Sequence, residues 1–144
     1  MNTLTKLQDV YCDNFVAYYR AHSIHMNILG RNFYSDHKLL QKIYEELQEH
    51  IDDIGELLRS SQEFVPETIG DIIAGSDLDD STAGASGADS LLVHVRSALE
   101  HLVMAYTELN SLATEEDYPD IENFAQGQIQ TLKRFIWMLT ATEE

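Results

Sequence analysis

Leu40, Ile43, Tyr44, Leu47, Ile51, Ile54 and Leu58 recur at intervals of three and four with no proline among them. That spacing gives one side of an α-helix an apolar stripe, and the stripe has to be covered by neighbouring elements. The same spacing returns in Leu92, Val95, Leu99, Leu102, Tyr106, Leu109 and Ala113, with Asp89 and Ser90 ahead of it as candidate N-caps. A rougher first helix runs from Leu4 to Leu29 through Leu7, Tyr11, Tyr18, His22 and His25, with Gly30 just past it as a stop signal. The last helix opens near Pro119, whose fixed φ suits a first turn, and carries Ile121, Ala125, Leu132, Phe135, Ile136 and Leu139. Only two prolines and seven glycines occur in 144 residues, so the chain reads as all-α. Its 44% hydrophobic content supports one domain, residues 1–144, with a real core, but not two.

Two of the three connections are short, which makes the helices they join antiparallel neighbours. The middle one, Ser60 to Ala88, is long and ends in a Ser, Gly, Ala and Asp cluster from Asp77 to Asp89 that reads as loop. Within it, Pro66 to Ala74 can form a short helix burying Ile69, Ile72 and Ile73. The expected architecture is a four-helix bundle with a long crossover, containing that short helix, between helices 2 and 3. A linker joining two separate hairpins is the alternative, and it leaves Val65, Ile69, Ile72 and Ile73 without burial. No internal repeat is visible.

Nothing near Met1 has the composition of a targeting signal and no apolar run reaches membrane-spanning length, so a soluble, cytoplasmic protein is expected. Cys12 is the only cysteine, which excludes an intrachain disulfide and a thiolate-rich zinc or iron–sulfur site. Any metal must take oxygen and nitrogen ligands. Nine Lys and Arg against 25 Asp and Glu give a formal charge of −16, which repels phosphate backbones and favours cations as partners.

Four residues then stand out: His25, His37, Asp52 and Glu56. Asp52 and Glu56 are one helical turn apart on one face, so their carboxylates can share a cation, although such pairs also occur on plain solvated faces. His25 and His37 continue the stripes of the first and second helices, and for either one alone the reading as a satisfied core histidine wins. His37 and Asp52, however, stand fifteen residues apart on one helix. That is roughly 22 Å at about 1.5 Å per residue, so one chain cannot bring both to one ion. If all four are ligands, helix 2 of one subunit must run antiparallel to helix 2 of another across a two-fold axis.

His25-Met26-Asn27-Ile28-Leu29-Gly30, then Asn32-Phe33 and His37, then Asp52-Asp53-Ile54-Gly55-Glu56 resembles the signature of the Dps family, the DNA-protecting mini-ferritins. Leu132-Lys133-Arg134-Phe135-Ile136-Trp137-Met138-Leu139 is similar to that family's last helix, so the resemblance covers most of the chain. It implies the ferritin-like four-helix bundle and a ferroxidase site between subunits, with His25 and His37 from one chain and Asp52 and Glu56 from the other. It further implies a homo-oligomeric shell of twelve subunits that oxidises Fe2+, often with hydrogen peroxide, and stores ferric mineral as protection against oxidative damage. One or two irons per site follow from the same resemblance, and zinc can occupy the same ligands.

Three departures matter. Gln41 stands where the family usually adds an Asp, leaving a poorer ligand and a weaker second iron site. Met26 replaces a usual Trp, and only Met1 to Thr3 precede the first helix, with no Lys-rich arm for DNA. A shell with a degraded metal site that binds DNA or a protein partner is the alternative reading, and the charge disfavours its DNA form. The intrasubunit site of larger ferritins needs Glu three residues before a His, and no histidine here has one.

Glu115, Glu116, Asp117, Asp120 and Glu122 crowd the junction of the last two long helices. In a shell, Glu116, Asp117 and Asp120 can line a cation pore; equally, acidic residues there suit a helix N-terminus. His22, His50, His94 and His101 read as packing or surface residues, Trp137 and Phe135 as core or subunit contact, and Cys12 as a small buried hydrophobe.

Overall fold

The computed structural model describes residues 1–79 and 87–143. They form α1 (Thr3–Asn27), α2 (Phe33–Ser60), the short α3 (Ile69–Gly75), α4 (Ala88–Glu116) and α5 (Pro119–Glu143), with no strand among the described residues. The part of the expected loop at 80–86 lies outside them.

Local chemistry sets the ends of these helices. The Asn2 side chain accepts the Thr5 amide at the start of α1, and Thr68 does the same for Asp71 at the start of α3. After α1, Gly30 takes a φ of 127°, a value that side chains rarely tolerate, and the chain reverses into α2. Asp117 closes α4 in the left-handed region, with the Tyr118 amide donating to the Ala113 carbonyl at 2.8 Å; Pro119 then opens α5. The N-cap of α4 is Gly87, and Asp89 and Ser90 lie within the first turn instead of capping it.

The helix directions follow from three contacts. Thr3 meets Glu116, Lys6 meets Glu108 and Asp13 meets His101, so α4 descends as α1 rises. Short turns make α2 antiparallel to α1 and α5 antiparallel to α4, and α1 and α4 pack together to join the two hairpins. The second and third long helices, α2 and α4, are therefore parallel, and only a crossover of the observed length allows this. The fold is an all-α bundle of four long helices with a fifth short one in the crossover.

Its core is the set of stripes read from the sequence. Leu40, Ile43, Leu47, Ile54 and Leu58 of α2 meet Leu7 and Val10 of α1, Leu99, Leu102 and Leu109 of α4, and Leu132 and Leu139 of α5, all without exposed surface. Each such side chain contributes about 1.5–3 kcal/mol of burial. Two expectations change. Only Ile72 of α3 is buried, because this helix rests one face on α1; Ile69 and Ile73 remain 61% and 43% exposed. Trp137 is likewise exposed on α5 and does not belong to the core, while Phe135 packs partly against it. Among the described residues no helix is long and apolar enough to cross a membrane.

Candidate metal centre

The turn after α1 brings the last turn of that helix against the start of α2, and this places His25 beside His37. Their rings stack at 3.7 Å between centroids, 17° from parallel. Each Nδ1 lies 2.8 Å from the other residue's backbone carbonyl oxygen. A carbonyl only accepts, so both Nδ1 atoms carry the proton and donate. In a neutral ring held this way the lone pair falls on Nε2, the state in which imidazole binds a metal, and the backbone bond fixes both tautomer and ring.

His25 is buried, and desolvation holds its pKa below the ordinary histidine value. The bond to the His37 carbonyl works against that shift, and the neighbouring His37, His22 and Lys38 add to it. It is a neutral donor. Further aromatic packing steadies the pair: Phe33 stacks on His37 at 5.0 Å, and Tyr44 meets the edge of His25 at 5.0 Å. His22 lies flat on Tyr44 at 4.0 Å and shares a 2.9 Å hydrogen bond with the Tyr18 hydroxyl. Met26, Leu29 and Tyr34, close to the histidines in sequence, are exposed apolar side chains.

Asp52 and Glu56 sit towards the far end of α2. Both are exposed, and both border a shallow cavity of about 250 Å³ with Tyr11, Ile51, Gly55, Arg59 and Val65. Among the described residues neither carboxylate has a hydrogen bond or an ion pair. The structure thus gathers the two histidines and, separately, the two acids, and within one chain the length of α2 keeps the pairs apart. Gln41 is half-buried between them and donates its amide to Glu45 at 2.8 Å, a bond it would surrender on turning to a metal.

The acidic junction is organised differently from a row of free carboxylates. Glu116 accepts the Thr3 amide at 2.6 Å and the Thr3 hydroxyl, and these two bonds hold its pKa below the ordinary carboxylate value. It ties the end of α4 to the start of α1. Asp117 is the left-handed cap described above, and Asp120 lies exposed in the first turn of α5.

One constellation was not legible in the sequence. Asp13, 1% exposed on α1, accepts the Ser76 hydroxyl at 2.7 Å and the Asp77 amide at 2.8 Å through Oδ1, and His101 Nε2 lies 2.8 Å from its Oδ2. The available signal was a carboxylate inside the α1 stripe between Val10 and Ala17, a position that demands partners once buried. Cys12, next to it, packs against Gly75 as a small hydrophobe; burial, with Asp13 and Asp9 adding, pushes its thiol up to about 11.

Comparison with known proteins is consistent along the chain. The family described as ferritin-like domain matches residues 4–143. The DNA protection during starvation protein of Helicobacter pylori is 25% identical over 141 residues, 98% of each chain. Antigen TpF1 of Treponema pallidum is 28% identical over 137 residues, 95% of this chain and 77% of that protein. The crystal structure of TpF1 superposes with a TM-score of 0.93 at 27% identity, covering 99% of this chain and 91% of that one. Dps from Listeria monocytogenes gives a TM-score of 0.94 at 20% identity, covering 99% and 93%, which speaks for the fold.

Proposed function

The chain belongs to the ferritin-like domain family, its likeness to Dps proteins runs over nearly its whole length, and from that premise we propose that it is a Dps-like mini-ferritin. Residues 1–144 act as one domain, in the cytoplasm, within a homo-oligomeric shell of twelve copies. Fe2+ is the substrate and hydrogen peroxide the oxidant, and ferric iron is stored inside. The reaction is 2 Fe2+ + H2O2 + 2 H+ → 2 Fe3+ + 2 H2O, in which peroxide takes both electrons and no hydroxyl radical is released.

The observation that carries this reading is the reciprocal locking of His25 and His37, which occupies both Nδ1 atoms and leaves both Nε2 atoms to take a metal. A core packing role needs no such pairing of each Nδ1 with the other's carbonyl. The unpaired Asp52 and Glu56 supply the second requirement, anionic oxygen that favours Fe3+ over Fe2+ and so lowers the barrier to oxidation. In the proposed site the acids come from the two-fold neighbour, and Glu56 bridges when two ions are present. Zn2+ suits the same nitrogen and oxygen donors and competes there.

Exposed apolar surface supports association. Tyr19, Ile69 and Ile73 border a cavity of about 450 Å³ that Phe15, Val16 and Tyr18 also line, and Met26, Leu29 and Tyr34 are exposed close to the histidines in sequence. Apolar patches of this kind on a single chain mark a contact surface.

The test is anaerobic loading with Fe2+, then peroxide, with ferric absorbance followed for the unmutated shell and for Asp52→Ala with Glu56→Ala. The double variant should lose fast oxidation while keeping its particle size; equal rates would remove the ferroxidase assignment.

A further inference from the structure

The Asp13 constellation has more than the contacts of a strut. Asp13, Asp77 and His101 come from the middle of α1, the stretch after α3 and the middle of α4, yet one ligand atom of each lies within 4.8 Å of the other two. The strut itself needs little from residue 77. Its backbone amide holds Asp13 Oδ1, and any residue other than proline provides that amide, whereas the Asp77 carboxylate has no hydrogen-bond partner among the described residues. A free carboxylate converging on a buried carboxylate and an imidazole is a poor arrangement for three protein groups alone. Asp9, one turn before Asp13, reports the same excess of negative charge: burial raises its pKa most, and after the opposing Lys6, Asp77 and Asp13 raise it further. Lys6 is itself tied to Glu108 at 2.9 Å.

We propose that Asp13, Asp77 and His101 form a second cation site, contained within one chain, that takes a borderline divalent ion such as Zn2+ or Fe2+. Bonds of about 2.0–2.2 Å in a tetrahedral site space the ligand atoms about 3.3 Å apart. Asp13 Oδ2 and His101 Nε2, now at 2.8 Å, open by about half an ångström, and the Asp77 carboxylate closes inwards. The mobile partners are the accessible ones: Asp77 is exposed and His101 one-third exposed, whereas Asp13 is held by its two Oδ1 bonds. The ion displaces the proton between Nε2 and Oδ2, and the neutral imidazole that binds it carries its one proton on Nδ1. Imidazole with two carboxylates selects Zn2+ or Fe2+ over Mg2+ and Ca2+, which prefer all-oxygen shells. Three protein ligands leave a position for water. The consequence is mechanical: the ion pins the crossover to α1 and α4 beside the exposed face of α3.

The site shares no residue with the proposed ferroxidase centre, so the two are tested separately. Zn2+ titration calorimetry, with Co2+ absorption as a spectroscopic stand-in, is run on the assembled protein carrying His25→Ala, His37→Ala, Asp52→Ala and Glu56→Ala. About one equivalent per chain should remain, and adding Asp77→Asn or His101→Gln should weaken it at least about tenfold and remove the Co2+ bands. Asp77 is exposed, so its variant keeps the fold even if the His101 variant does not. Unchanged affinity and stoichiometry in Asp77→Asn, or no Zn2+ bound before it is introduced, overturns the proposal. Equal binding of Mg2+ overturns the ligand class.

Discussion

A site shared across a dyad makes a quantitative prediction about mixtures. Take one chain with His25→Ala and His37→Ala and another with Asp52→Ala and Glu56→Ala. Each assembles alone into shells in which every site lacks one half, so both should be inactive. In a mixed two-fold pair, one site has neither half, while the other combines intact histidines from the second chain with intact acids from the first. Random pairing of equal amounts makes about half of the pairs mixed, and each restores one of its two sites. The co-assembled shell should therefore recover about one quarter of the unmutated number of active sites. The magnitude rests on the separation of His37 and Asp52 along α2, roughly 22 Å, which no side-chain motion closes. The assay is the initial rate of ferric absorbance after peroxide addition, with co-expressed chains checked for size and composition. An inactive mixed shell refutes the shared site, and an active parent refutes the ligand set.

Three other outcomes follow from local geometry. Glu116→Ala should speed hydrogen exchange in the first turns of α1, because the Thr3 bonds are lost, and leave iron uptake unchanged; uptake slowed several-fold would instead support the pore role. Gly75→Ala should cost about 1–3 kcal/mol by overpacking, since its Cβ would lie 2.9 Å from Cys12 Sγ. Adding Cys12→Ala should return at least about 1 kcal/mol relative to the sum of the single changes, measured by urea unfolding at fixed protein concentration; simple additivity would sink the clash. His50, 2% exposed, is held below its ordinary value of 6.5 mainly by burial, with Glu46 opposing. The unfolded chain therefore takes up a proton at a higher pH than the folded one. The stability is complete above 6.5 and falls as pH drops through that value towards the folded one. The urea midpoint should decline over this window in metal-free protein and less so in His50→Leu; an equal decline removes His50 as the cause.

The sequence carried the helices because the information for them is local. The three-and-four stripes of α2 and α4, the reversal at Gly30 and the start at Pro119 depend on neighbours within a turn or two, and the folded chain follows them. Asp89 and Ser90 misled because several polar residues compete for one capping position, and backbone geometry gave it to Gly87. Ile69 and Ile73 misled because an apolar stripe records that a face needs cover, without recording whether the cover comes from the same chain.

The candidate site divides in the same way. Residue types, their order and the resemblance those carry marked His25, His37, Asp52 and Glu56 as candidate donors, and the helix period alone placed the last two a turn apart. Only tertiary structure decided the tautomers of the histidines, because each proton is fixed by a carbonyl that the turn brings round from the other helix. Only tertiary structure joined Thr3 to Glu116, and Asp13 to Asp77 and His101, across separations of 113, 64 and 88 residues. Periodicity is a property of adjacent turns and survives in a linear string. A contact between distant positions exists only once packing has fixed where each helix lies.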